Sequence, residues 1–293
     1  MENTQPVAAA ELDGANRTLL LPLWARAQES LQPEPLLADR RAAEIVAGLC
    51  ASHGYQATLE TLDKSLDSFF RLSQLIRARC IDDEIRAYLR AHPRATIVNI
   101  GAGLDTTFER VDNGQLRWYD LDLPDVIALR RQCLPDQARS TCIAKSVLDP
   151  TWYDEISHPQ DGLMFVACGV LFFLTESEAR QLLRAMALRF PGSEMVFDTM
   201  SSLFMAIGNR AVLGRGVIGT QARMRWAVQS ATTLKAWTDR LEVVGEYPLY
   251  STVRLNPAWG KAAVNRMRLI NWMKGMNVCH LAFRPDPLKS SES

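Results

Sequence analysis

Val98-Asn99-Ile100-Gly101-Ala102-Gly103-Leu104-Asp105 is the stretch of sequence that decides the fold. The β-branched apolar run at residues 95–100 is typical of a buried parallel strand. Two glycines then break the run, and glycine lets the backbone approach a ligand closely. A polar helix start follows, where N–H groups can be directed at a bound group. The stretch therefore predicts a strand, a turn and a helix, with a ligand held at the turn.

Strand-like and helix-like segments alternate along the chain after this turn. Further apolar runs typical of strands lie at residues 117–122, 141–147, 163–168, 194–198, 241–250 and 278–283. Between them, residues 125–133, 176–190 and 261–273 have helical character, and Thr175 with Glu178 has the spacing of a capping box. The alternation predicts an α/β fold: a mostly parallel sheet with an antiparallel last strand, helices on both faces, and a ligand crevice at the carboxyl ends of the strands.

The segments outside this alternation suggest how the domain is organised. Helix-like segments precede the sheet at residues 36–49, 62–70 and 72–89, and Pro93 ends the last of them. We expect one domain over residues 18–293, with a helical cap at residues 18–92 and an insert from about residue 199 to residue 230. Residues 1–17 are polar and rich in alanine, and we expect them to be flexible.

Composition argues against several classes of protein. Lys+Arg and Asp+Glu both number 33, whereas a nucleic-acid-binding protein usually has a basic excess. No apolar run approaches the roughly 18 residues that span a membrane, and no basic segment of a signal peptide precedes residues 19–24. The six cysteines include no CxxC pair and the four histidines are scattered, so we predict no metal site. We expect a cytoplasmic protein without nucleic-acid or membrane partners, and we predict no oligomeric state.

Asp122, at the end of the predicted second strand, is the second candidate ligand residue. It lies 19 residues after Gly103, close to the roughly 20 at which an acidic residue accepts hydrogen bonds from ribose hydroxyls. Asp120 lies on the same side of the strand and is either a second contact or a solvated acid. A dinucleotide fingerprint needs a third glycine, but position 106 is threonine, which favours a smaller nucleoside ligand.

Three stretches together resemble the leucine carboxyl methyltransferase family. They read IGAGLDTTF at residues 100–108, WYDLDLPDVI at residues 118–127 and ACGVLFFL at residues 167–174. The resemblance extends over most of the chain, from about residue 21 to residue 283. It implies a class I, Rossmann-like methyltransferase fold that binds S-adenosylmethionine at the glycine turn. It also implies O-methylation of a carboxylate or hydroxyl on a small metabolite or a peptide C-terminus.

The resemblance also implies roles for individual residues. Gly101 would line the methionine part of the cofactor, Gly103 would also belong to the cofactor site, and Asp122 would hold the ribose. Arg77 would bind the methionine carboxylate, because a guanidinium can bind a carboxylate through two hydrogen bonds. Arg79 is a nearby competitor for this role, and Arg26 falls near a cation of the family.

Two positions depart from the family pattern. At the adenine loop the family commonly has an acidic residue before an apolar one, whereas this chain has Val147 and Leu148. A carboxylate bond to adenine is then lost unless Asp149 replaces it. At the end of the fourth strand the family commonly has glutamate, whereas this chain has Cys168, a poor acceptor that we expect to line the pocket without polar contacts.

The chemistry leaves the catalytic residues unassigned and two other functions open. A carboxylate acceptor is already ionised and needs only positioning and removal from water, whereas a phenol would need a base such as His158 or His280. The alternatives are a nicotinamide-dependent oxidoreductase and a catalytically degenerate methyltransferase fold that binds a partner. Substrate determinants are expected in the N-terminal helices and the insert, whereas Trp226 and Trp237 are more readily explained as core packing.

Overall fold

A seven-stranded sheet forms the centre of the computed structural model, which describes residues 17–53, 60, 67–157, 159–210 and 223–285. In chain order the strands are β1 (Thr96–Ile100), β2 (Arg117–Asp122), β3 (Ser140–Ala144), β4 (Leu163–Ala167), β5 (Glu194–Met200), β6 (Leu241–Pro248) and β7 (Met276–Phe283). They lie in the order β3-β2-β1-β4-β5-β7-β6. Neighbours among β1 to β5 are parallel, and β7 is antiparallel to both β5 and β6. The predicted α/β sheet with an antiparallel last strand is confirmed.

Helices cover both faces of this sheet. In chain order they are α1 (Arg17–Glu29), α2 (Arg40–His53), α3 (Ser68–Ala91), α4 (Thr107–Val111), α5 (Pro124–Cys133), α6 (Glu176–Arg189), α7 (Ser202–Gly208) and α8 (Lys261–Trp272). Ile97 of β1 packs in the layer that contains α3 and α8, whereas Val98 packs in the layer that contains α6. β1 is buried along its whole length, and its apolar residues Ile97, Val98 and Ile100 pack on both faces of the sheet. Within the described part of the chain, no helix has the length and apolar character that a membrane span requires.

The predicted start of α6 is confirmed in detail. Thr175 Oγ1 accepts a hydrogen bond from the Glu178 N–H at 3.2 Å, and Glu178 Oε2 accepts one from the Thr175 N–H at 2.6 Å. Each residue thus satisfies a backbone donor that the first turn of a helix leaves unpaired.

A helical cap was expected from residue 18, but no helix was assigned to its first segment, where α1 contains Pro22. Its side chains Leu20 and Leu23 are fully buried, so packing on neighbouring helices outweighs the cost of the proline. The predicted helix at residues 72–89 begins earlier, at Ser68, where Asp67 accepts the Phe70 N–H at 2.8 Å. Of the segments expected to be flexible or helical, residues 1–16 and 62–66 lie outside the described residues.

Both described ends of the expected insert attach to the carboxyl edge of the sheet. After β5 the chain forms α7, and residues 211–222 lie outside the described residues. On its return, the Trp226 N–H donates to the Phe172 carbonyl at 3.1 Å and the Val228 N–H to the Met200 carbonyl at 3.0 Å. The division into one domain with a helical cap and an insert stays our proposal.

Candidate functional site

A cavity of about 860 Å³ lies at the carboxyl ends of β1, β2, β4 and β5. These ends meet at one edge because the four strands are parallel neighbours, and β1 is where the chain crosses from one half of the sheet to the other. This is the position at which open α/β sheets bind ligands. The volume lies near the upper end of the range of about 300–1,000 Å³ for small-molecule sites, so we infer room for two molecules side by side.

The glycine turn after β1 forms the floor of this cavity. Gly101 and Gly103 have φ angles of +68° and +49°, in the region that favours glycine. A Cβ on Gly101 would lie 2.3 Å from a methyl of Val170, and one on Gly103 would lie 2.9 Å from Leu19. The two glycines are therefore required both by the backbone conformation and by the space around it.

The N–H groups of the turn bond to β2 instead of pointing at a ligand, so that part of the sequence-based interpretation is wrong. The Gly101 and Ala102 N–H groups donate to the Leu121 carbonyl at 2.8 and 3.2 Å, and the Gly103 N–H donates to Asp122 at 2.7 Å. A dinucleotide pyrophosphate needs such donors. The turn therefore does not suit a nicotinamide dinucleotide, whereas a ligand without phosphate groups does not need these N–H donors.

Asp122 lies at the predicted place, at the end of β2 and in the cavity wall. Its Oδ2 accepts the Gly103 N–H, and its Oδ1 accepts the Leu123 N–H at 2.7 Å. Burial raises the pKa of this carboxyl, although the two backbone N–H groups act in the opposite direction. A carboxylate oxygen accepts more than one hydrogen bond, so both oxygens keep capacity for hydroxyl donors.

Asp120 is neither a ligand contact nor a solvated acid. Its side chain is buried, where it accepts Arg130 Nη2 at 2.6 Å and Asn99 Nδ2 at 3.0 Å. Arg130 also donates to the carbonyls of Gly103 at 3.0 Å and Asp105 at 2.7 Å. Asp120 therefore supports the glycine turn from below, through Arg130.

Two arginines reach the cavity from the N-terminal helices. Arg77 of α3 lines it, with Nη1 3.3 Å from Asp198 Oδ2 and Nη2 2.5 Å from Gln74 Oε1. Arg26 of α1 also lines it and donates to the Leu104 carbonyl at 3.1 Å. Arg79, the competitor of Arg77, is outside the lining and donates to the Leu36 carbonyl at 3.3 Å.

The loop after β3, where adenine binding was expected, matches the sequence-based expectation only in part. Val147 lines the cavity, but Leu148 is outside the lining with 42% of its surface exposed. Asp149 is also outside the lining, so it does not replace the missing carboxylate in the cavity wall; its Oδ1 accepts the Thr151 N–H at 3.0 Å and caps the short helix Pro150–Glu155. Cys168 lines the cavity, and burial raises the pKa of its thiol to about 12 although Arg77 lowers it.

Of the two candidate bases, His280 is outside the cavity lining. His280 lies on β7 opposite Val196, away from the carboxyl end of β5, with its Nε2 2.6 Å from Glu194 Oε2. Its pKa is raised to about 9, because hydrogen bonds to Glu194 and Glu84 outweigh the lowering effect of burial. His158 lies outside the described residues. Trp226 is buried against Trp237, with ring centroids 5.6 Å apart, so both belong to the core.

The sequence did not reveal the buried network that joins the N-terminal helices to the glycine turn. Asp39 Oδ2 accepts hydrogen bonds from Arg26 Nε at 2.9 Å, from Arg110 Nη1 at 2.7 Å and from Thr106 Oγ1. Thr106 stands where a dinucleotide-binding turn has its third glycine. The partners are 13, 71 and 67 residues away from Asp39, so no local motif indicates their contact.

Comparisons with known proteins agree with this geometry. A sequence profile described as leucine carboxyl methyltransferase matches residues 20–187, more than half of the chain. The chain is 29% identical to the tetracenomycin polyketide synthesis O-methyltransferase of Streptomyces glaucescens, over 77% of this chain and 79% of that one. It is 33% identical to an S-adenosyl-L-methionine-dependent methyltransferase of Gibberella zeae, over 66% of this chain and 68% of that one.

A solved structure is similar in fold. It is a DUF574 family protein from Streptomyces avermitilis, with a TM-score of 0.56 and 13% identity over 92% of this chain and 97% of that one. At this identity the likeness concerns the fold alone.

Proposed function

This chain belongs to the leucine carboxyl methyltransferase family and is an S-adenosylmethionine-dependent O-methyltransferase, and we propose that its acceptor is the carboxylate of a small molecule with an apolar, aromatic body. The observation that carries this proposal is the composition of the cavity wall, which is apolar beside the glycine turn and lacks a usable base among its described residues.

The residues of the wall fit the cofactor. Asp122 would accept hydrogen bonds from the ribose hydroxyls, and Arg77 would bind the methionine carboxylate. A Cβ on Gly101 or Gly103 would displace Val170 or Leu19, which line the cavity, so the two glycines keep the wall in place where the methionine part would lie. Val147 and Cys168 would pack against the cofactor without polar contacts, which leaves the adenine ring to be held by shape.

The part of the cavity beyond β4 is left for the acceptor. Three phenylalanines and three methionines line it, together with a few arginines at the side of the insert. The apolar residues are Phe172, Phe173, Met200, Phe204, Met224 and Met276. Aromatic rings stack on flat ligands, and methionine side chains adapt to irregular shapes. The lining therefore favours an aromatic acceptor over a polar one.

Apart from Asp122, which would be bonded to the ribose, no described residue of the lining is suited to remove a proton near neutral pH. Its acidic side chains are Asp105 and Asp122, and none of its described members is a histidine. Burial alone would raise the pKa of Asp105, but Arg26 and Arg110 hold it at about 2. Cys168 stays a neutral thiol, and Lys145 is held by Glu155 at 2.6 Å. A carboxylate suits this site because its oxygen is already ionised.

The residues around the cavity then act by positioning. When bound, S-adenosylmethionine would supply an electrophilic methyl group on its sulfonium, with the thioether as the leaving group, for an ionised acceptor oxygen. Leu19 of α1 lies over Gly103 and Leu21 also lines the cavity, so these side chains would exclude water from it. The apolar wall orients the acceptor, and no proton has to move in this step.

Asp122→Asn is expected to weaken binding of S-adenosylhomocysteine by about tenfold or more, because a hydrogen bond to a charged group contributes about 1.5–3 kcal/mol. Calorimetric titration measures this. Asp125→Asn, on the exposed first turn of α5, is the matched control and should keep the wild-type affinity. An unchanged affinity in Asp122→Asn would mean that the ribose is held elsewhere.

The acceptor class is tested with aromatic carboxylic acids, matched phenols and a peptide ending in leucine. We expect methyl esters, which alkali hydrolyses, to form from the aromatic acids at a rate nearly constant between about pH 7 and 9, since carboxyls ionise near pH 4. A phenol acceptor, with a pKa of about 10, would give a rate that rises across this window. Formation of alkali-stable methyl ethers, or turnover of the peptide alone, would refute the proposed acceptor.

A further inference from the structure

Asp198, near the carboxyl end of β5, connects two parts of the cavity wall without lining the cavity itself. Its side chain is buried, with 3% of the residue surface exposed. Its Oδ1 accepts the Gly169 N–H at 2.6 Å, and its Oδ2 accepts Arg77 Nη1 at 3.3 Å. One carboxylate thus holds both the loop after β4 and the guanidinium that reaches the cavity from α3.

Gly169 allows this arrangement because it has no side chain. Its φ is +78°, and a Cβ there would lie 3.0 Å from both Nη atoms of Arg77. The guanidinium therefore lies against the Gly169 backbone. The next residue, Val170, fills the space beside Gly101, where a Cβ would meet its methyl at 2.3 Å. The loop between β4 and α6 is consequently in contact with Arg77 on one side and with the glycine turn on the other.

The guanidinium of Arg77 is fixed from three sides. Asp198 engages Nη1, Gln74 engages Nη2, and the Gly169 backbone covers the group. An arginine side chain has about 2 kcal/mol of rotamer entropy, which a free side chain would lose on binding a ligand. Here that freedom is already lost in the folded protein. Of its five N–H donors, the described contacts use two, which leaves donors for a carboxylate in the cavity.

We propose that Asp198 is a positioning residue for cofactor binding, which acts by holding Arg77 and the Gly169–Val170 loop as one unit against the methionine end of the cofactor. This inference rests on the proposed function, in which Arg77 binds the methionine carboxylate. Asp198 does not touch the cofactor. It also compensates the charge of Arg77, since a buried guanidinium without an acidic partner is strongly unfavourable.

The test compares two ligands that differ only at the methionine end. S-adenosylhomocysteine has the amino acid, whereas 5′-methylthioadenosine has the adenosine and the thioether but no carboxylate. For Asp198→Asn we expect about tenfold weaker binding of S-adenosylhomocysteine and an affinity for 5′-methylthioadenosine within about twofold of wild type. A residue with a merely structural role would weaken both ligands alike.

Two further variants make the test specific. In an Arg77→Gln background, Asp198→Asn should cause little further loss, because residues that act through one contact are not additive. Glu194→Gln, four residues earlier on β5 and paired with His280, is the matched control and should leave both affinities unchanged. If Asp198→Asn does not fold, Asp198→Ser, which keeps an oxygen acceptor for Gly169, takes its place.

The outcomes separate the inference from the function on which it rests. If the wild-type protein binds 5′-methylthioadenosine but not S-adenosylhomocysteine, or binds neither, the cofactor site itself is wrong. If the wild type binds both, then unchanged or tighter binding of S-adenosylhomocysteine by Asp198→Asn overturns the positioning role. An equal loss for both ligands overturns it as well.

Discussion

Replacing Gly101 with alanine is expected to abolish cofactor binding, with an affinity for S-adenosylhomocysteine at least about 100-fold below wild type. Two effects add. The φ of +68° is unfavourable for a residue with a Cβ by about 1–2 kcal/mol. The new methyl would also lie 2.3 Å from Val170, and such overpacking costs about 1–3 kcal/mol more. Relief requires the turn or the Val170 loop to move, and both line the cavity.

Gly114→Ala is the matched control for the backbone effect. Gly114 has a φ of +79°, but nothing lies within 4 Å of the position of its Cβ. We expect this variant to lose about 1–2 kcal/mol of stability and to keep the wild-type affinity for S-adenosylhomocysteine. Calorimetry gives the affinities, and urea unfolding gives the stabilities. Equal affinities in Gly101→Ala and wild type would contradict a cofactor site at this turn.

The sheet could be predicted from the sequence because its signals are local. The residues of β2 were predicted with the observed bounds, 117–122, since an apolar run there ends in an acidic pair before Pro124. The capping box of α6 likewise needs only a residue and its third neighbour along the chain. Such signals depend on strand and helix periodicity, which a single sequence displays directly.

Only the part of the cavity wall that short sequence motifs mark could be predicted. The glycine turn and Asp122 lie together in the structure because β1 and β2 are parallel neighbours. The predicted direction of the turn's N–H groups was wrong, because that direction depends on how the turn pairs with Leu121 across the sheet. The place of His280 on β7 depends in the same way on strand register, which the sequence around it does not encode.

The N-terminal helices show most clearly what local sequence signals cannot predict. Local propensity is unfavourable for α1, since Pro22 removes a backbone donor inside it. The helix forms because its apolar face is buried against α2 and because Arg26 pairs with Asp39 at the end of the connection between them. Tertiary contacts of this kind decide the structure of a helix whose own sequence is neutral or unfavourable.

Asp39→Asn is expected to have the second large effect, a loss of about 3–5 kcal/mol of stability, which is typical when one partner of a buried ion pair is removed. The side chain of Asp39 is 1% exposed and faces both Arg26 and Arg110. Asparagine can still cap α2 by accepting the Ala42 N–H, which lies 2.9 Å from Asp39 Oδ1 in the wild type. Its amide hydrogens, however, cannot satisfy two guanidinium groups and the Thr106 hydroxyl. The thermal midpoint should fall by on the order of 10 °C.

The same substitution should weaken cofactor binding, which distinguishes this network from a merely stabilising one. Arg26 holds the Leu104 carbonyl, and Leu19 of the same helix covers Gly103, so loosening α1 uncovers the turn. Glu44→Gln is the matched control: it removes an exposed pair with Arg41 on α2 and should change stability by no more than about 0.5 kcal/mol. Titration with S-adenosylhomocysteine at a temperature where Asp39→Asn is still folded measures the effect. Wild-type affinity there would show that α1 and Asp39 stabilise the domain without shaping the cofactor site.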